Sequence, residues 1–280
     1  MHTKADRTRA AIAYILLAFF LIITLFPVLS VANFAFLPER AIKQYPPQLI
    51  PNLTYFDNFI FVWKNTTVPQ GMLNSVFVVA ATVVMVLIVA SLGSYGAAKS
   101  SPRFRGFVYG VLLITQMVPA MANMIPIYMI MQKLMLLNTL PGLVVIYMVN
   151  SLSLSMLILI GFFKASIEEL EEAAMIDGCN WWQAFTRVSL PIARPGLVTS
   201  VIFTFAMSWN EFMMSNLIVT KPSLCTYQVS LYSLLSTYVD HGSKYNLMSA
   251  AALMGLLPVL IIYCTFQKGI TSGLTTGAIK

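Results

Sequence analysis

The chain alternates long apolar segments with short polar ones. The apolar segments lack the regular polar face of an amphipathic helix, and each is long enough to cross a hydrocarbon layer about 30 Å thick as an α-helix. The pattern predicts six crossings at residues 10–38, 72–98, 106–132, 141–163, 195–220 and 245–267. We therefore expect an all-α integral membrane protein with six transmembrane helices.

The composition supports this class. Of the 280 residues, 58% are hydrophobic and only 10% are charged, and the mean hydropathy is +0.79. A soluble domain has about a quarter of its residues charged. The basic N-terminal start also resembles a secretory signal peptide, but the apolar core of such a peptide spans only about 7 to 15 residues. The first apolar segment is therefore expected to be a membrane helix.

The distribution of basic residues predicts the orientation. An even number of crossings leaves both termini on one side, and basic residues favour the cytoplasmic side of a membrane protein. With cytoplasmic termini, eleven of the 17 basic residues are inside. These are Lys4, Arg7, Arg9, Lys99, Arg103, Arg105, Lys164, Arg187, Arg194, Lys268 and Lys280. The remaining six are predicted outside: Arg40, Lys43, Lys64, Lys133, Lys221 and Lys244.

The chain is expected to have three segments. Residues 1–69 form an N-terminal transmembrane helix and an external segment rich in proline and aromatic residues. Residues 70–267 form the transmembrane core, and residues 268–280 form a cytoplasmic tail.

The longest polar interruption, residues 166–191, lies between the fourth and fifth crossings and is called here the polar loop. Ser166 opens a capping box with the glutamate three positions later, which predicts a helix start. Gly178 predicts its end, because glycine adopts the left-handed conformation without a Cβ penalty. Asn180 restarts a second helix, and Pro191 is expected to end it. The loop therefore reads as two short helices joined at a glycine, too short to be stable alone.

One face of the first loop helix is apolar. Ile167, Leu170 and Ala174 share it at helical spacing and suit an apolar groove on a partner. The alternative is an amphipathic loop lying on the bilayer surface. Such helices favour lysine and arginine, whereas this one is acidic.

Several kinds of chemistry are not expected. The basic residues are scattered, so no nucleic-acid surface is indicated. His2 and His241 are too isolated for a metal site. Gly93, Lys99 and Ser100 nearly fit a phosphate-binding loop, but Ala98 replaces the second glycine and the segment ends an apolar helix. ATP, if used, is therefore expected to bind another polypeptide.

Polar residues inside two crossings are candidates for a transport pathway. Asn123 lies near prolines in the third crossing, where freed backbone groups need neighbours or a water-lined cavity. The alternative is a kinked helix whose polar groups bond to its neighbours. The fifth crossing contains Trp209, Asn210 and Glu211. A carboxylate at membrane depth usually faces protein or water and marks a functional position; for Glu211 the alternative is a structural carboxyl bonded to a partner.

The polar loop also resembles a known motif. Glu172, Ala173, Ala174, Gly178 and the segment VSLP ending at Pro191 match the spacing of the EAA loop of ATP-binding-cassette (ABC) importer permeases, with Val188 where isoleucine is usual. The resemblance implies the type I ABC importer permease fold and a coupling helix that docks on a cytoplasmic ATPase. The residues that it assigns to ATPase coupling are Glu172, Ala173, Ala174, Asp177, Gly178, Leu190 and Pro191.

The segments LLNTLPGLVVIY, SWNEF and ITSGLTTGAIK resemble the carbohydrate-uptake branch of these permeases, which includes the maltose permease small subunit. The resemblance implies a non-catalytic subunit of a bacterial inner-membrane importer for a sugar or oligosaccharide. The implied partners are a second permease, two ATPase subunits that use ATP and magnesium, and an extracytoplasmic solute-binding protein. The tail is expected to reach toward the ATPase interface as an extended peptide, or to fray.

Other functions stay open at this stage. The solute could be of another kind, such as a glycerol-phosphate ester. An autonomous channel or secondary transporter would need no ATPase. A membrane-embedded enzyme would need paired acid and base groups, and Glu211 stands alone in its crossing.

Overall fold

The computed structural model describes residues 4–46, 53–164, 168–239 and 244–278, and helices are the only regular elements in these ranges. The chain divides into two compact units. The N-terminal unit comprises Met1–Pro69 and Leu231–Leu256, and the core unit comprises Gln70–Ser230 and Leu257–Lys280. The grouping of Leu231–Leu256 with the N-terminal unit is not evident from the sequence.

The first half of the chain contains α1 (Lys4–Ala35), α2 (Glu39–Lys43), α3 (Asp57–Asn65), α4 (Val68–Lys99), α5 (Pro102–Met117), α6 (Met124–Lys133) and α7 (Leu140–Lys164). The second half contains α8 (Glu168–Ile176), α9 (Trp181–Ala184), α10 (Leu190–Ile192), α11 (Arg194–Trp209), α12 (Met213–Ile218), α13 (Tyr227–Leu234) and α14 (Tyr245–Ala278). Short 3₁₀ turns occupy Ala120–Asn123 and Pro222–Leu224, and π-helical turns occupy Phe185–Ser189 and Leu235–Val239.

The helices confirm the predicted class of all-α membrane protein. Within the described residues, four helical segments are long and apolar enough to cross a bilayer alone: Ala10–Ala35, Val68–Lys99, Leu140–Lys164 and Tyr245–Gln267. Two further segments are bent pairs, Pro102–Met117 with Met121–Lys133 at 90° and Trp181–Ile192 with Arg194–Trp209 at 72°. Counting each pair as one crossing gives up to six.

The third crossing is not the continuous helix that the apolar pattern predicts. α5 ends at Met117, and Val118 is extended, with φ −76° and ψ 121°. Pro119 follows, and a proline disfavours the helical conformation of the residue before it. The apolar composition continues across the break, so hydropathy alone does not reveal it.

The fifth crossing also differs from the prediction of one segment over residues 195–220. α11 ends at Trp209, and α12 starts only at Met213. Glu211 lies in the break, and its carboxylate accepts hydrogen bonds from the N–H groups of Met214 at 2.7 Å and Ser215 at 3.0 Å. The side chain thus satisfies two of the N–H groups that a new helix leaves unpaired.

The tail differs from the expected extended peptide. The backbone of α14 remains helical to Ala278 and passes the predicted boundary at residue 268 without a break.

α1 is apolar and almost wholly uncovered by the rest of the chain. Its most apolar window, within Ala10–Ala35, is 0% buried. Thr24 and Ser30 donate their hydroxyl protons to the carbonyl oxygens of Phe20 and Phe26, one turn earlier, both at 2.8 Å. Both features suit a helix surrounded by lipid, where polar groups must be satisfied within the protein.

Within the core unit, α7 packs closely against α11. A Cβ atom on Gly196 would lie 2.5 Å from a ring carbon of Phe162, so only glycine permits this approach. The buried hydroxyls of Ser155 and Thr204 lie 3.3 Å apart across the same pair of helices. Small residues at a helix contact are typical of membrane helices, because they let the backbones approach.

In the N-terminal unit, buried Asn58 joins three segments. Its side-chain amide donates to the carbonyl oxygens of Ala35 at 2.8 Å and Leu37 at 2.9 Å. Its carbonyl oxygen accepts from the side-chain amide of Asn246 at 2.7 Å. One side chain therefore connects the end of α1, α3 and the start of α14.

We predict that Asn58→Ala lowers the thermal unfolding midpoint of the detergent-solubilised protein, because it leaves buried groups unpaired at a cost of about 1–3 kcal/mol. Asn65→Ala is the matched control, since exposed Asn65 donates to the carbonyl oxygen of Phe61 in its own helix, at 3.3 Å. An Asn58→Ala midpoint equal to that of the control would contradict this account.

Candidate functional site

The first half of the polar loop has the predicted helix and glycine stop. α8 is followed by Gly178, whose φ of +90° lies in the left-handed region. The N–H of Cys179 donates to the carbonyl oxygen of Ala174 at 3.0 Å, and the N–H of Gly178 donates to that of Met175 at 3.1 Å. These bonds satisfy carbonyl groups at the helix end. Ser166 and Ile167 lie outside the described residues, so the predicted capping box stays a prediction.

The second helix also begins as predicted. The side chain of Asn180 accepts from the N–H of Gln183 at 2.8 Å, and the side chain of Gln183 accepts from the N–H of Asn180 at 2.9 Å. Pro191, however, does not end the helix. It lies in the first turn of α10, where a missing N–H costs little, and the bend comes at Ala193.

The loop carries a half-exposed apolar surface. Leu170 is 51% exposed, and Trp181 and Trp182 are 51% and 53% exposed. Of the residues assigned to coupling, Glu172, Ala173, Asp177, Gly178 and Pro191 are exposed, whereas Ala174 and Leu190 are half-buried. Exposed aromatic and aliphatic residues beside small ones can receive a partner protein at short distance.

An ionic cluster around a buried carboxylate anchors the same loop, and no pattern in the sequence predicted it. Glu171 of α8 has 0% exposure. Its carboxylate forms an ion pair with Lys99 and accepts hydrogen bonds from the hydroxyls of Ser189 and, at 3.0 Å, Tyr95. Lys99 is the residue that nearly completes a phosphate-binding pattern, and the structure instead pairs it with a carboxylate.

Aromatic rings enclose this cluster. The Tyr95 ring lies 4.7 Å from that of Phe185, 5.5 Å from Trp181 and 5.7 Å from Phe163, measured between centroids. The Lys99 ammonium lies 5.0 Å from the centre of the Tyr95 ring. Glu171 is one of four glutamates within five positions of the loop, and no pattern in the sequence distinguishes the one that points inward.

A second feature is a cavity of about 1020 Å³ in the core unit. Segments beside both helix breaks line it. The polar lining residues are Thr115, Gln116, Asn123, Tyr147, Asn150, Ser151, Ser153, Ser208, Asn210 and Glu211. The structure thus brings three of the four predicted pathway residues, Asn123, Asn210 and Glu211, to one cavity.

Trp209, the fourth predicted residue, does not line this cavity. It is only 3% exposed, and its ring stacks against Phe205 at 5.7 Å and Tyr227 at 5.6 Å. The sequence places it beside Asn210 and Glu211, but successive helical residues point in different directions. The indole therefore packs in the interior and is not available to stack on a solute in this cavity.

The cavity offers neutral hydrogen-bonding groups. Among the described residues that line it, there is no lysine or arginine, and Glu211 is the one carboxylate, which already bonds to backbone N–H groups. Ser208 has a buried hydroxyl with no hydrogen-bond partner in the described part of the chain. Amides and hydroxyls both donate and accept, so they suit a solute rich in hydroxyl or amide groups.

Comparison with known proteins assigns the family. Residues 89–270 match the family described as the binding-protein-dependent transport system inner membrane component. The chain belongs to this family. It is therefore a multi-pass membrane component of such a transport system, and the resemblance seen in its polar loop is confirmed.

Relatives match over nearly the whole chain. The diacetylchitobiose uptake system permease protein NgcG of Streptomyces coelicolor is 31% identical over 99% of this chain and 91% of its own length. The trehalose transport system permease protein SugB of Mycobacterium tuberculosis is 27% identical over 91% of this chain and 92% of its own length. A chain of a bacterial ABC transporter that imports the acidic polysaccharide alginate has a TM-score of 0.83 at 22% identity, covering 96% of this chain and 98% of that one. This last likeness supports the fold.

We predict that replacing Glu211 lowers the stability of the protein, and that Glu211→Leu lowers it more than Glu211→Gln. Glutamine keeps one oxygen that can cap α12, whereas leucine keeps none, and loss of a helix cap costs about 0.5–2 kcal/mol. Thermal unfolding of the detergent-solubilised protein measures the order. Glu172→Leu serves as the control, because Glu172 is an exposed residue of α8. A Glu211→Leu midpoint as high as that of the control would refute the capping role.

Proposed function

We propose that this chain is the permease subunit of an ATP-driven importer for an uncharged sugar or oligosaccharide. It forms the translocation path with a second permease and transmits movement of ATPase subunits through the polar loop. The observation that carries the proposal is the loop itself, which presents exposed apolar and small residues while its buried face is joined to α4 by an ion pair. A surface joined rigidly to membrane helices can convert docking into helix movement.

The cavity supports a saccharide as the solute. Its amides and hydroxyls match hydroxyl and acetamido groups, and relatives are named for uptake of diacetylchitobiose and trehalose. The alternative, a glycerol-phosphate ester, finds less support, because the described lining has no cation to pair with a phosphate. An autonomous channel or secondary transporter does not account for an exposed apolar loop of this kind.

The proposed partners follow from this role. A solute-binding protein delivers the sugar on the outer side, and two ATPase subunits bind ATP and magnesium in the cytoplasm. This chain is proposed to bind no nucleotide, since Lys99, the lysine of the sequence that nearly fits a phosphate-binding loop, pairs with Glu171. It is also proposed to catalyse no reaction. Both termini and the polar loop are proposed to face the cytoplasm.

The proposal is tested by uptake into vesicles that contain the complete complex and the binding protein. Uptake of a labelled disaccharide should require internal ATP and the binding protein, and the ATPase should co-purify with this chain. Uptake that persists without ATPase subunits would favour the channel or secondary-transporter alternative.

Gly178 provides a specific test of coupling. A side chain at φ +90° costs about 1 kcal/mol or more, although a Cβ there would meet no neighbour within 4 Å. We predict that Gly178→Ala lowers uptake and that Gly178→Asp lowers it further, because aspartate adds a charge to the docking surface. Gly161→Ala is the control, since Gly161 is helical and its Cβ would also meet nothing. Normal uptake by Gly178→Asp would contradict the coupling role.

Labelling tests the orientation. A cysteine introduced at Ser166 of a cysteine-free variant should react with a membrane-impermeant maleimide only from the cytoplasmic side. A cysteine at exposed Lys64 should react only from outside, because the two positions are separated by an odd number of predicted crossings. Reaction of position 166 from outside would invert the proposed topology.

A further inference from the structure

We propose that Glu171, Lys99 and Tyr95 form a latch that fixes the angle between the polar loop and the membrane helix α4, so that movement of the docked loop moves α4. These are positioning residues: they touch neither solute nor nucleotide. The inference rests on the proposed coupling function and names the contacts through which coupling passes.

One buried side chain holds α8 in place. Among its described side chains, residues 170–176, Glu171 is the only buried one; Ala174 is half-buried and the others are exposed. An apolar contact surface is therefore nearly absent on the inner side of this helix. Among the described side chains of α8, Glu171 therefore makes the buried contact that orients the helix, together with the turn at Gly178.

The two carboxylate oxygens of Glu171 bond to separate elements. Oε2 pairs with Lys99 and accepts from the Tyr95 hydroxyl at 3.0 Å, and both residues belong to the last turns of α4. Oε1 accepts from the hydroxyl of Ser189, in the π-helical turn that leads to α10 and α11. Glu171 therefore connects α8 to α4, which is distant in sequence, and to the second half of the polar loop, which leads into α11.

A buried carboxylate must keep its partners, because an uncompensated charge in the interior is costly, whereas exposed ion pairs contribute little. The Glu39–Lys43 pair in α2 is such an exposed pair, at 2.8 Å. Because the Glu171 carboxylate is fully buried, while the Lys99 side chain is 31% exposed, this pair resists separation when the loop moves. The Glu39–Lys43 pair, exposed on both sides, provides a matched comparison.

Single and double variants test the latch in the complete complex. Glu171→Gln removes the charge, Lys99→Met removes the cation, and Tyr95→Phe removes only a hydroxyl and keeps the ring between its aromatic neighbours. Solute uptake and ATP hydrolysis are measured together in the same vesicles. The result is expressed as the ratio of solute moved to ATP hydrolysed, because this ratio does not depend on how much complex is inserted.

We expect solute moved per ATP to fall roughly 2- to 30-fold in the Glu171→Gln and Lys99→Met variants, the range found for mutations that alter coupling between sites. Tyr95→Phe should give a smaller decrease. The double variant Glu171→Gln/Lys99→Met should be less impaired than the product of the two single effects, because the residues act as a pair. Glu39→Gln should leave the ratio unchanged.

The outcomes separate the latch from the proposed function. If wild-type uptake needs no ATP, the proposed function is overturned. If wild-type uptake is ATP-driven but both single variants keep the wild-type ratio, even at reduced abundance, the latch is wrong and the residues only stabilise the fold. If the single effects simply multiply in the double variant, the residues do not act as a pair and the latch is also overturned.

Discussion

The need to satisfy every backbone polar group inside the bilayer shapes this protein. Apolar segments can cross hydrocarbon only as helices, so a helix can end at membrane depth only where other groups or water replace the lost bonds. The helix breaks in the third and fifth crossings follow this rule. The break near Pro119 lies in the lining of a cavity. After Trp209, the carboxylate of Glu211 accepts hydrogen bonds from the N–H groups at the start of α12. The breaks and the cavity are therefore parts of one arrangement.

This arrangement assigns a double role to Glu211. Its negative charge would be expensive in lipid, yet here it stabilises the start of a helix and lies in the wall of a cavity. A structural and a pathway role are thus compatible for this residue. The neutral amides and hydroxyls around it, Asn123 and Asn210 among them, leave the cavity with little net charge, which is why we favour an uncharged saccharide over an anionic solute.

The polar loop relates to the membrane helices through a different kind of contact. Membrane helices pack by small residues and close approach, as at Gly196, whereas α8 is held by the buried carboxylate of Glu171 paired with Lys99. Its exposed side keeps Leu170, and the adjoining α9 keeps Trp181 and Trp182, free for a partner. A short helix with one ionic contact through a buried carboxylate and an exposed outer surface is suited both to docking on a partner and to transmitting the partner's movement.

The sequence alone determined the membrane class, the apolar segments, the glycine stop at Gly178, the capping box at Asn180 and the family, because these depend on local composition and on short-range backbone chemistry. Only the tertiary structure decided where the third and fifth crossings break. The apolar composition continues across Val118 and Pro119, and Glu211, although visible in the sequence, does not by itself show that a helix ends beside it. It also decided that Trp209 packs inward while its neighbours line the cavity. Glu171 shows most clearly what the sequence does not determine. It is one of four acidic residues in one short stretch, and the structure pairs it with Lys99, 72 positions away in the chain. Which of the four meets Lys99 depends on how the helices pack.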